Sequence, residues 1–280
     1  MKKIHKIQNT FGINLDHTFD CGQCFRFDKT NSADYETEYK GVAFGKEVAF
    51  GQKEGFLYVT GADEKEFESL WRSYLSLDED YSAIHRGLLS LSDNEALCRA
   101  VDYGKGIRIL RQEPWETVCS FIISQNNNIP RIKGLIKALS EKAGEKIGDG
   151  VYAFPAAKAV AELVEEGQRE LKTGFRAPYI LDAAKKVASG ELDLSKIYSM
   201  PTKEAEKLLC TVKGIGPKVA DCALLFGFSK YDAFPVDVWI KRVLAKYFAP
   251  DFTPEALGEY AGVAQQVLFY YERWNGGENA

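Results

Sequence analysis

Residues 208–221 read Leu208-Leu209-Cys210-Thr211-Val212-Lys213-Gly214-Ile215-Gly216-Pro217-Lys218-Val219-Ala220-Asp221, and this stretch decides the fold. An apolar segment leads into Gly-Ile-Gly, and a second apolar segment begins with Pro217, which favours a helix, a tight hairpin and another helix. Backbone amides exposed at such a hairpin and helix start suit a phosphate oxygen. We therefore predict a helix-hairpin-helix at about 202–228, with Gly214 and Gly216 at a phosphate-binding turn.

A lysine and an aspartate follow this hairpin at two helix starts. Lys218 lies in the first turn of the second helix, where the positive end of the helix dipole opposes protonation, and a neutral amine is a nucleophile. Pro235-Val236-Asp237 predicts an extended segment with Asp237 as the N-cap of a further helix. We infer that Lys218 and Asp237 face a common cleft, with Cys222 on the same helix face as Lys218.

The hairpin, the lysine and the aspartate together resemble the helix-hairpin-helix, Gly-Pro-Asp superfamily of DNA base-excision glycosylases. The lysine-bearing branch of that family is bifunctional. The resemblance implies that the Lys218 amine attacks C1′ of the damaged nucleotide, displaces the base and forms a Schiff base, with Asp237 as the catalytic carboxylate. Hairpins of this type also occur in non-catalytic DNA-binding modules, so the hairpin alone leaves both interpretations open.

Two further motifs resemble the 8-oxoguanine DNA glycosylases of this superfamily. Ser124-Gln125-Asn126-Asn127-Asn128-Ile129-Pro130-Arg131 predicts a polar loop at the end of a buried helix. By resemblance, Asn126 fills the gap left by the extruded base and Arg131 reads the orphaned cytosine. Gly174-Phe175-Arg176 before Pro178 predicts an exposed turn, on which the resemblance makes Phe175 an intercalating wedge and Arg176 a second cytosine contact. The family commonly has tyrosine at the wedge position.

The base pocket is implied by two more segments. Cys21-Gly22-Gln23-Cys24-Phe25-Arg26 resembles the family's Gly-Gln-x-Phe-Arg segment, in which the Gly22 carbonyl would accept the N7–H that distinguishes 8-oxoguanine from guanine. On the predicted C-terminal helix, Gln265 would bond the Watson–Crick edge and Phe269 would stack on the ring opposite Cys222. One departure is Trp239, where the family often has a histidine that contacts phosphate.

Composition limits the compartment and the cofactors. The chain of 280 residues contains six cysteines and three histidines, and Cys21 and Cys24 form a CxxC with no second pair to complete a zinc site. We expect reduced thiols. The C-terminal region has no cysteines for an iron–sulfur loop, and no signal peptide or membrane-length apolar run is present, which favours a cytoplasmic, intracellular location.

The net charge of −4 is unusual for a DNA-binding protein, but DNA responds to the local surface. We expect a basic region between residues 105 and 137, where six bases occur: Lys105, Arg108, Arg111, Arg131, Lys133 and Lys137.

The hydrophobic period divides the chain into two parts. Short aromatic and β-branched segments predict strands at 24–27, 39–44, 47–50 and 56–60, with hairpin turns at 44–47 and 52–55. Helical periodicity begins near residue 64 and predicts helices at 93–102, 114–124, 129–142, 156–166, 178–189, 202–211, 217–227, 238–248 and 254–271. The predicted fold is α+β, with an antiparallel sheet domain and a following helix over 1–95 and a helical glycosylase region over 96–280.

We interpret the chain as an 8-oxoguanine DNA glycosylase with AP-lyase activity that acts, as a monomer, on double-stranded DNA containing 8-oxoguanine, preferentially opposite cytosine. No cofactor is required and no membrane is involved. By resemblance, the carbonyls of Cys210, Val212 and Ile215 are candidates for a structural monovalent or divalent cation. The alternatives are a glycosylase of different specificity, for thymine glycol, adenine mismatches or alkylated bases, and a non-catalytic module that binds DNA structure.

Overall fold

A five-stranded antiparallel sheet begins the chain in the computed structural model, which describes residues 3–167 and 173–275. The spatial order of its strands is β1-β5-β4-β3-β2. The strands are β1 (Ile4–Gln8), β2 (Phe27–Lys29), β3 (Thr37–Ala43), β4 (Lys46–Lys53) and β5 (Phe56–Thr60), with the short helix α1 (Leu15–Phe19) between β1 and β2.

Two-residue turns connect β3 to β4 and β4 to β5, as predicted. Phe44 and Gly45 have φ values of 51° and 67°, and Glu54 and Gly55 have φ values of 50° and 77°. Positive φ at both central residues matches the twist of the flanking strands, so these turns fix the register of the sheet.

The rest of the chain is mainly helical. Its helices are α2 (Glu64–Glu66), α3 (Arg72–Tyr74), α4 (Tyr81–Leu91), α5 (Glu95–Tyr103), α6 (Pro114–Ser124), α7 (Ile129–Ala143), α8 (Ala157–Gly167), α9 (Ala177–Ser189), α10 (Leu194–Ile197), α11 (Thr202–Leu209), α12 (Pro217–Phe228), α13 (Val238–Tyr247) and α14 (Ala261–Asn275). A π turn (Phe67–Trp71) joins α2 to α3, and 3₁₀ turns occupy Gly174–Arg176 and Pro254–Tyr260. The predicted α+β fold, with a sheet followed by a larger helical part, is confirmed.

Several local predictions were incomplete. The sequence reasoning missed β1, α1, α4 and α10, and it assigned residues 144–150 to a loop where a small hairpin of β6 (Lys146–Gly148) and β7 (Val151–Tyr152) begins. The helix predicted at 254–271 is broken, because Gly258 adopts a non-helical φ of +68° within the 3₁₀ segment that precedes α14. The division at residues 95 and 96 stays a prediction.

Two apolar cores stabilise the two parts of the fold. One lies between the sheet and the 67–77 segment, around Phe50, Trp71 and Tyr74. The other lies within the helical part, where α12 is buried along most of its length. Because α12 is held rigidly in this core, its exposed first turn presents Lys218 at a fixed position. Within the described residues, no helix combines the length and the apolar character needed to cross a membrane.

Candidate active site and DNA interface

The hairpin between α11 and α12 is a tight turn that needs glycine at one position. Gly214 has a φ of +79°, and a Cβ there would lie 2.3 Å from the Tyr179 ring. Gly216 is an extended N-cap residue whose Cβ would meet open space. Among the residues that the structure describes, the backbone N–H groups of Gly214, Gly216 and Lys218 donate to no protein atom. These free amides at a helix N-terminus form a surface suited to an anion.

Lys218 and Asp237 both line a cavity of about 320 Å³. Lys218 follows Pro217, the first residue of α12, and its Nζ lies 5.7 Å from the centroid of the Phe121 ring. Asp237 is the N-cap of α13, as predicted, and its Oδ1 accepts a 2.8 Å hydrogen bond from the N–H of Ile240. The structure therefore brings an amine and an oriented carboxylate to the same cavity.

Cys222 lines this cavity one turn after Lys218 and is buried. Burial raises the pKa of its thiol to about 11, although the nearby Lys218 favours the thiolate. The thiol is therefore protonated at neutral pH and presents a small, polarizable surface to the cavity.

One wall of the cavity consists of the turn at Gly22 and one face of α14. Gly22 has a φ of +80°, and a Cβ there would lie 3.6 Å from Cε1 of Phe269 and 3.7 Å from Nη1 of Arg273. Gln265, Phe269 and Arg273 all line the cavity. An apolar ring thus lies between a side-chain amide and a guanidinium on this wall.

Gln265 carries a polar atom without a partner. Its side chain is only 5% exposed, and its Oε1 is buried and accepts no hydrogen bond from the described residues. An unpartnered buried acceptor costs free energy, so this atom is suited to receive a donor from a molecule in the cavity.

Two buried glutamines hold the Gly22 turn, and the sequence reasoning missed both. Gln23 is fully buried, donates 2.8 Å hydrogen bonds to the carbonyls of Thr18 and Arg108, and accepts a 2.9 Å bond from the N–H of Leu110. Gln266 donates a 2.8 Å hydrogen bond to the carbonyl of Cys21. The sequence signal for such a role was a glutamine within the largely apolar run 263–269, because the side-chain amide of a buried glutamine needs hydrogen-bond partners.

The three asparagines after α6 have distinct local roles. Asn126 is exposed and adopts a φ of +48°, a conformation that asparagine tolerates better than most residues. Asn127 donates to the carbonyl of Ile123 at 3.0 Å, and Asn128 caps α7 by accepting a 3.0 Å bond from the N–H of Arg131. The loop therefore presents Asn126 outward while its two neighbours fix the backbone.

Phe175 and Arg176 differ in exposure, which corrects the prediction that both lie on an exposed turn. Phe175 is 52% exposed, but Arg176 is only 2% exposed. Arg176 donates from Nε to the carbonyl of Gln125 at 2.9 Å and from Nη2 to that of Asn126 at 2.9 Å. Its Nη1 donates to the carbonyl of Thr173 at 3.4 Å. Arg176 thus holds the asparagine loop, because orphan carbonyls after α6 attract its planar donors.

The predicted basic region at 105–137 is only in part an exposed surface. Arg108 is 4% exposed and donates to backbone carbonyls, and Arg111 pairs with Glu79. Lys105, Lys133 and Lys137 pair with Asp102, Asp28 and Glu141. Arg131 is exposed and forms no ion pair with the described residues. Long-range contacts engage Arg108, Arg111 and Lys133, which sequence position could not show, whereas the partners of Lys105 and Lys137 lie three and four residues away in the chain.

Trp239 stands at the mouth of the cavity, where the resemblance suggested a different residue. Its side chain is 37% exposed and lines the cavity, and the Arg242 guanidinium carbon lies 5.2 Å from its ring centroid. This pair presents an aromatic face and a positive charge next to Asp237.

Two kinds of possible metal ligand occur in the described part of the chain, namely side chains and the carbonyls of the hairpin. No group of three or more His, Cys, Asp or Glu side chains there could hold a metal ion, and all six cysteines are free. At the hairpin, the Val212 carbonyl accepts a 3.0 Å bond from the N–H of Ile215. Among described atoms, no donor reaches the carbonyls of Cys210 and Ile215.

Two family models match consecutive parts of the chain. The 8-oxoguanine DNA glycosylase N-terminal domain matches residues 5–118, and the HhH-GPD superfamily of base excision DNA repair proteins matches residues 119–260. Together they cover the sheet, the hairpin and α13.

Similar proteins carry related names. The N-glycosylase/DNA lyase OGG1 of Arabidopsis thaliana is 28% identical over 93% of this chain and 77% of that protein. A probable N-glycosylase/DNA lyase of Methanothermobacter thermautotrophicus is 30% identical over 66% of this chain and 69% of that protein. The crystal structure of Clostridium acetobutylicum 8-oxoguanine glycosylase/lyase, in complex with double-stranded DNA containing cytosine opposite 8-oxoguanine, has a TM-score of 0.87 and 39% identity. That match covers 99% of this chain and 98% of that one.

Proposed function

Because the chain belongs to the HhH-GPD superfamily of base excision DNA repair proteins, we propose that it excises 8-oxoguanine opposite cytosine and then cleaves the abasic site. It is a DNA N-glycosylase with lyase activity, and double-stranded DNA is its partner. The observation that carries the proposal is one cavity lined by Lys218, Asp237, Gly22 and Gln265. Because its substrate is DNA of the genome, we expect the protein to act inside the cell.

The cavity suits an extruded guanine-type base. The partnerless Oε1 of Gln265 would accept from N1–H or the exocyclic amine of guanine or 8-oxoguanine. Phe269 and Cys222 line the same cavity and would lie on the two faces of the ring. The Gly22 carbonyl would accept N7–H, which 8-oxoguanine has and guanine lacks. Unmodified guanine would place a lone pair against this carbonyl, which costs about 1–3 kcal/mol.

Excision uses the Lys218 amine as a nucleophile. The neutral amine forms a bond to C1′ while the C1′–N9 bond breaks and its electron pair leaves with the base. The C1′–O4′ bond then breaks as one proton passes from the nitrogen to O4′, and the nitrogen lone pair forms the C1′=N bond of the protonated Schiff base. Loss of a 2′ proton then expels the 3′ phosphate, which completes the lyase step.

Asp237 stabilises the cationic sugar that develops as the base departs. Its Oδ1 is held by the N–H of Ile240 at the start of α13, so the carboxylate has a fixed orientation toward the cavity. A preorganised negative charge stabilises a developing positive charge without reorganisation.

The exposed residues beside the cavity would bind the duplex at the site that the extruded lesion leaves empty. Extrusion costs a few kcal/mol of unstacking, which occupants of the vacated site offset. Asn126 and Phe175 are exposed and suited to fill it, and the exposed Arg131, which forms no ion pair with a described residue, would donate to the orphaned cytosine. We propose Arg176 as a second cytosine contact as well, although the observed donors of this buried side chain hold the Asn126 loop. The amides of Gly214 and Gly216 would bind a backbone phosphate.

The hairpin carbonyls fit a cation only in part. Cys210 and Ile215 have carbonyls that no described donor reaches, whereas the Val212 carbonyl already accepts from Ile215. A hard cation prefers several such oxygens. We propose that any cation here would rely on Cys210, Ile215 and DNA oxygens, with Val212 sharing its carbonyl.

Borohydride trapping tests the proposal directly. The protein is incubated with duplexes that carry 8-oxoguanine opposite each base, and the intact chain is compared with Lys218→Gln. We expect a lesion-dependent covalent adduct, strongest opposite cytosine, that the variant lacks. The control is Lys207→Gln, which removes an exposed lysine on α11 and should trap normally.

Other outcomes separate the alternatives. An adduct formed only with thymine glycol, alkylated bases or adenine mismatches would show a glycosylase of different specificity. DNA binding without any adduct would indicate a non-catalytic module.

A further inference from the structure

Helix α14 presents three side chains to the cavity at intervals of one helical turn. Gln265, Phe269 and Arg273 are successive members of this row, and all three line the cavity. At 1.5 Å rise per residue, the row spans about 12 Å, which exceeds the length of a purine. A base stacked on Phe269 would therefore have Gln265 at one end and Arg273 at the other.

Arg273 lies beside the Gly22 turn. Its Nη1 is 3.7 Å from the position that a Cβ on Gly22 would occupy. Among the described residues, no carboxylate forms an ion pair with it. Asp20 is a nearby acid: burial raises the pKa of that carboxyl, and Arg273 partly opposes the increase. The guanidinium also lies over the exposed Trp274, with its carbon 5.6 Å from the ring centroid. Donors of Arg273 are therefore available to a molecule in the cavity.

We propose that Arg273 donates a hydrogen bond to O8 of the extruded 8-oxoguanine. This inference rests on the proposed function, because it takes the orientation in which Gln265 faces the Watson–Crick edge. In that orientation C8 is at the far end of the purine, and O8 is adjacent to the N7–H that Gly22 accepts. Arg273 and Gly22 then read neighbouring atoms, one as a donor and the other as an acceptor. Guanine has a hydrogen at C8 and offers Arg273 no oxygen acceptor at that position.

The same contact favours departure of the base. When the C1′–N9 bond breaks, its electron pair enters the base and delocalises over N9, C8 and O8. The leaving group takes a proton afterwards from the active site or solvent. A guanidinium at O8 stabilises this negative charge more than the neutral ground state, so it lowers the barrier to excision.

Arg273→Met removes the donors and keeps much of the side chain's bulk. We expect single-turnover excision of 8-oxoguanine opposite cytosine to slow by about 10- to 100-fold, the effect of losing one hydrogen bond from a charged donor. Borohydride trapping on a pre-formed abasic site is the internal reference, because that substrate has no base to contact. Arg273→Lys should recover part of the lost rate. Arg86→Met removes an exposed arginine on α4 and serves as the control.

Three results would overturn the assignment. Equal losses with 8-oxoguanine and with the abasic site would place Arg273 on a phosphate or in the folded framework. An unchanged excision rate would remove it from the reaction. Failure of the unsubstituted chain to excise 8-oxoguanine would instead reject the proposed function, and the O8 contact with it. The wild-type measurement therefore tests the function, and the ratio between variant and wild type tests Arg273.

Discussion

Gln266 and Cys21 are 245 positions apart in the chain, yet the Gln266 side chain donates a 2.8 Å hydrogen bond to the Cys21 carbonyl. Gln266 lies on α14, which also carries Gln265 and Phe269, and Cys21 directly precedes Gly22. One buried hydrogen bond therefore joins the two segments that would contact opposite edges of the base. The spacing between the helix that would stack on the base and the carbonyl that would read it therefore depends on this bond.

Gln266→Leu should loosen the pocket as well as the fold. The Cys21 carbonyl would lose its donor in a buried environment, which costs about 1–3 kcal/mol of the free energy of unfolding. We also expect affinity for a duplex with an uncleavable 8-oxoguanine nucleotide to fall several-fold. Chemical denaturation and a binding titration measure the two effects.

Gln52→Leu is the matched control for this variant. Gln52 makes a comparable tie in the sheet, donating at 2.7 Å to the Ile13 carbonyl and accepting at 2.8 Å from the N–H of Leu15. It should lose stability without losing lesion affinity. If both variants bind the lesion equally well, Gln266 has only a structural role.

Asp237 can be altered so that its structural and chemical roles separate. Asparagine is as good an N-cap as aspartate, so Asp237→Asn should keep the bond to Ile240 and change stability little. Because it removes the negative charge beside the developing cation, we expect single-turnover excision to slow by about 100-fold or more. Asp237→Ala should show this loss and also about 1 kcal/mol lower stability. Equal excision rates for Asp237→Asn and wild type would rule out an electrostatic role.

The sequence predicted the elements that carry strong local signals. Pro217 marked the start of α12, and Asp237 marked the start of α13. Gly214 marked the hairpin, because the turn there requires a positive φ. The helix that corresponds to α14 was predicted to begin at residue 254 instead of 261, because nothing in the pattern required Gly258 to take a positive φ.

Features that depend on tertiary contacts were beyond a single sequence. Arg108 and Arg176 look like surface cations in the sequence but are buried, and they donate to the distant carbonyls of Phe11 and Gln125. The side-chain hydrogen bonds from Gln23 and Gln266 join segments that are far apart in the chain. Such pairings are decided by the folded backbone, and local propensity does not encode them.

Phe175 and Arg176 are neighbours with opposite expected phenotypes. Phe175→Ala changes a half-exposed ring, so stability should stay within about 0.5 kcal/mol. Affinity for a lesion duplex should fall by about 10-fold or more, because one aromatic stack is lost. Thermal unfolding and a binding titration test this.

Arg176→Met should first affect the fold. It would leave the carbonyls of Gln125 and Asn126 without their donor, so we expect a loss of about 1–3 kcal/mol in the free energy of unfolding. Lesion binding should weaken too, because the Asn126 loop loses its support. A fully stable Arg176→Met protein would show that the loop holds its conformation by itself.

Glu116 gives the fold a measurable pH dependence. Its carboxylate contacts Arg26 at 3.2 Å, with the two side chains only 15% and 10% exposed. Burial raises the pKa of Glu116 to about 7, although Arg26 opposes this. In the unfolded chain this carboxyl ionises around its ordinary pKa of 4.5, which is below its pKa in the folded protein. Rising pH therefore stabilises the unfolded state before it stabilises the folded state. The free energy of unfolding should therefore fall by up to about 3 kcal/mol as the pH rises from about 4.5 to about 7, and then level off.

Glu116→Gln should flatten this slope, because glutamine has no proton to lose. Asp221, whose pKa burial also raises to about 7, contributes a slope of the same sign, so the difference between the variant and wild type is the quantity to measure. Urea unfolding between pH 4.5 and 8 gives both curves. Glu95→Gln, which changes an exposed surface pair with Arg99, should keep the wild-type slope. If the Glu116→Gln and wild-type slopes are the same, Glu116 is ionised throughout this range and the Arg26 contact is a fully formed ion pair.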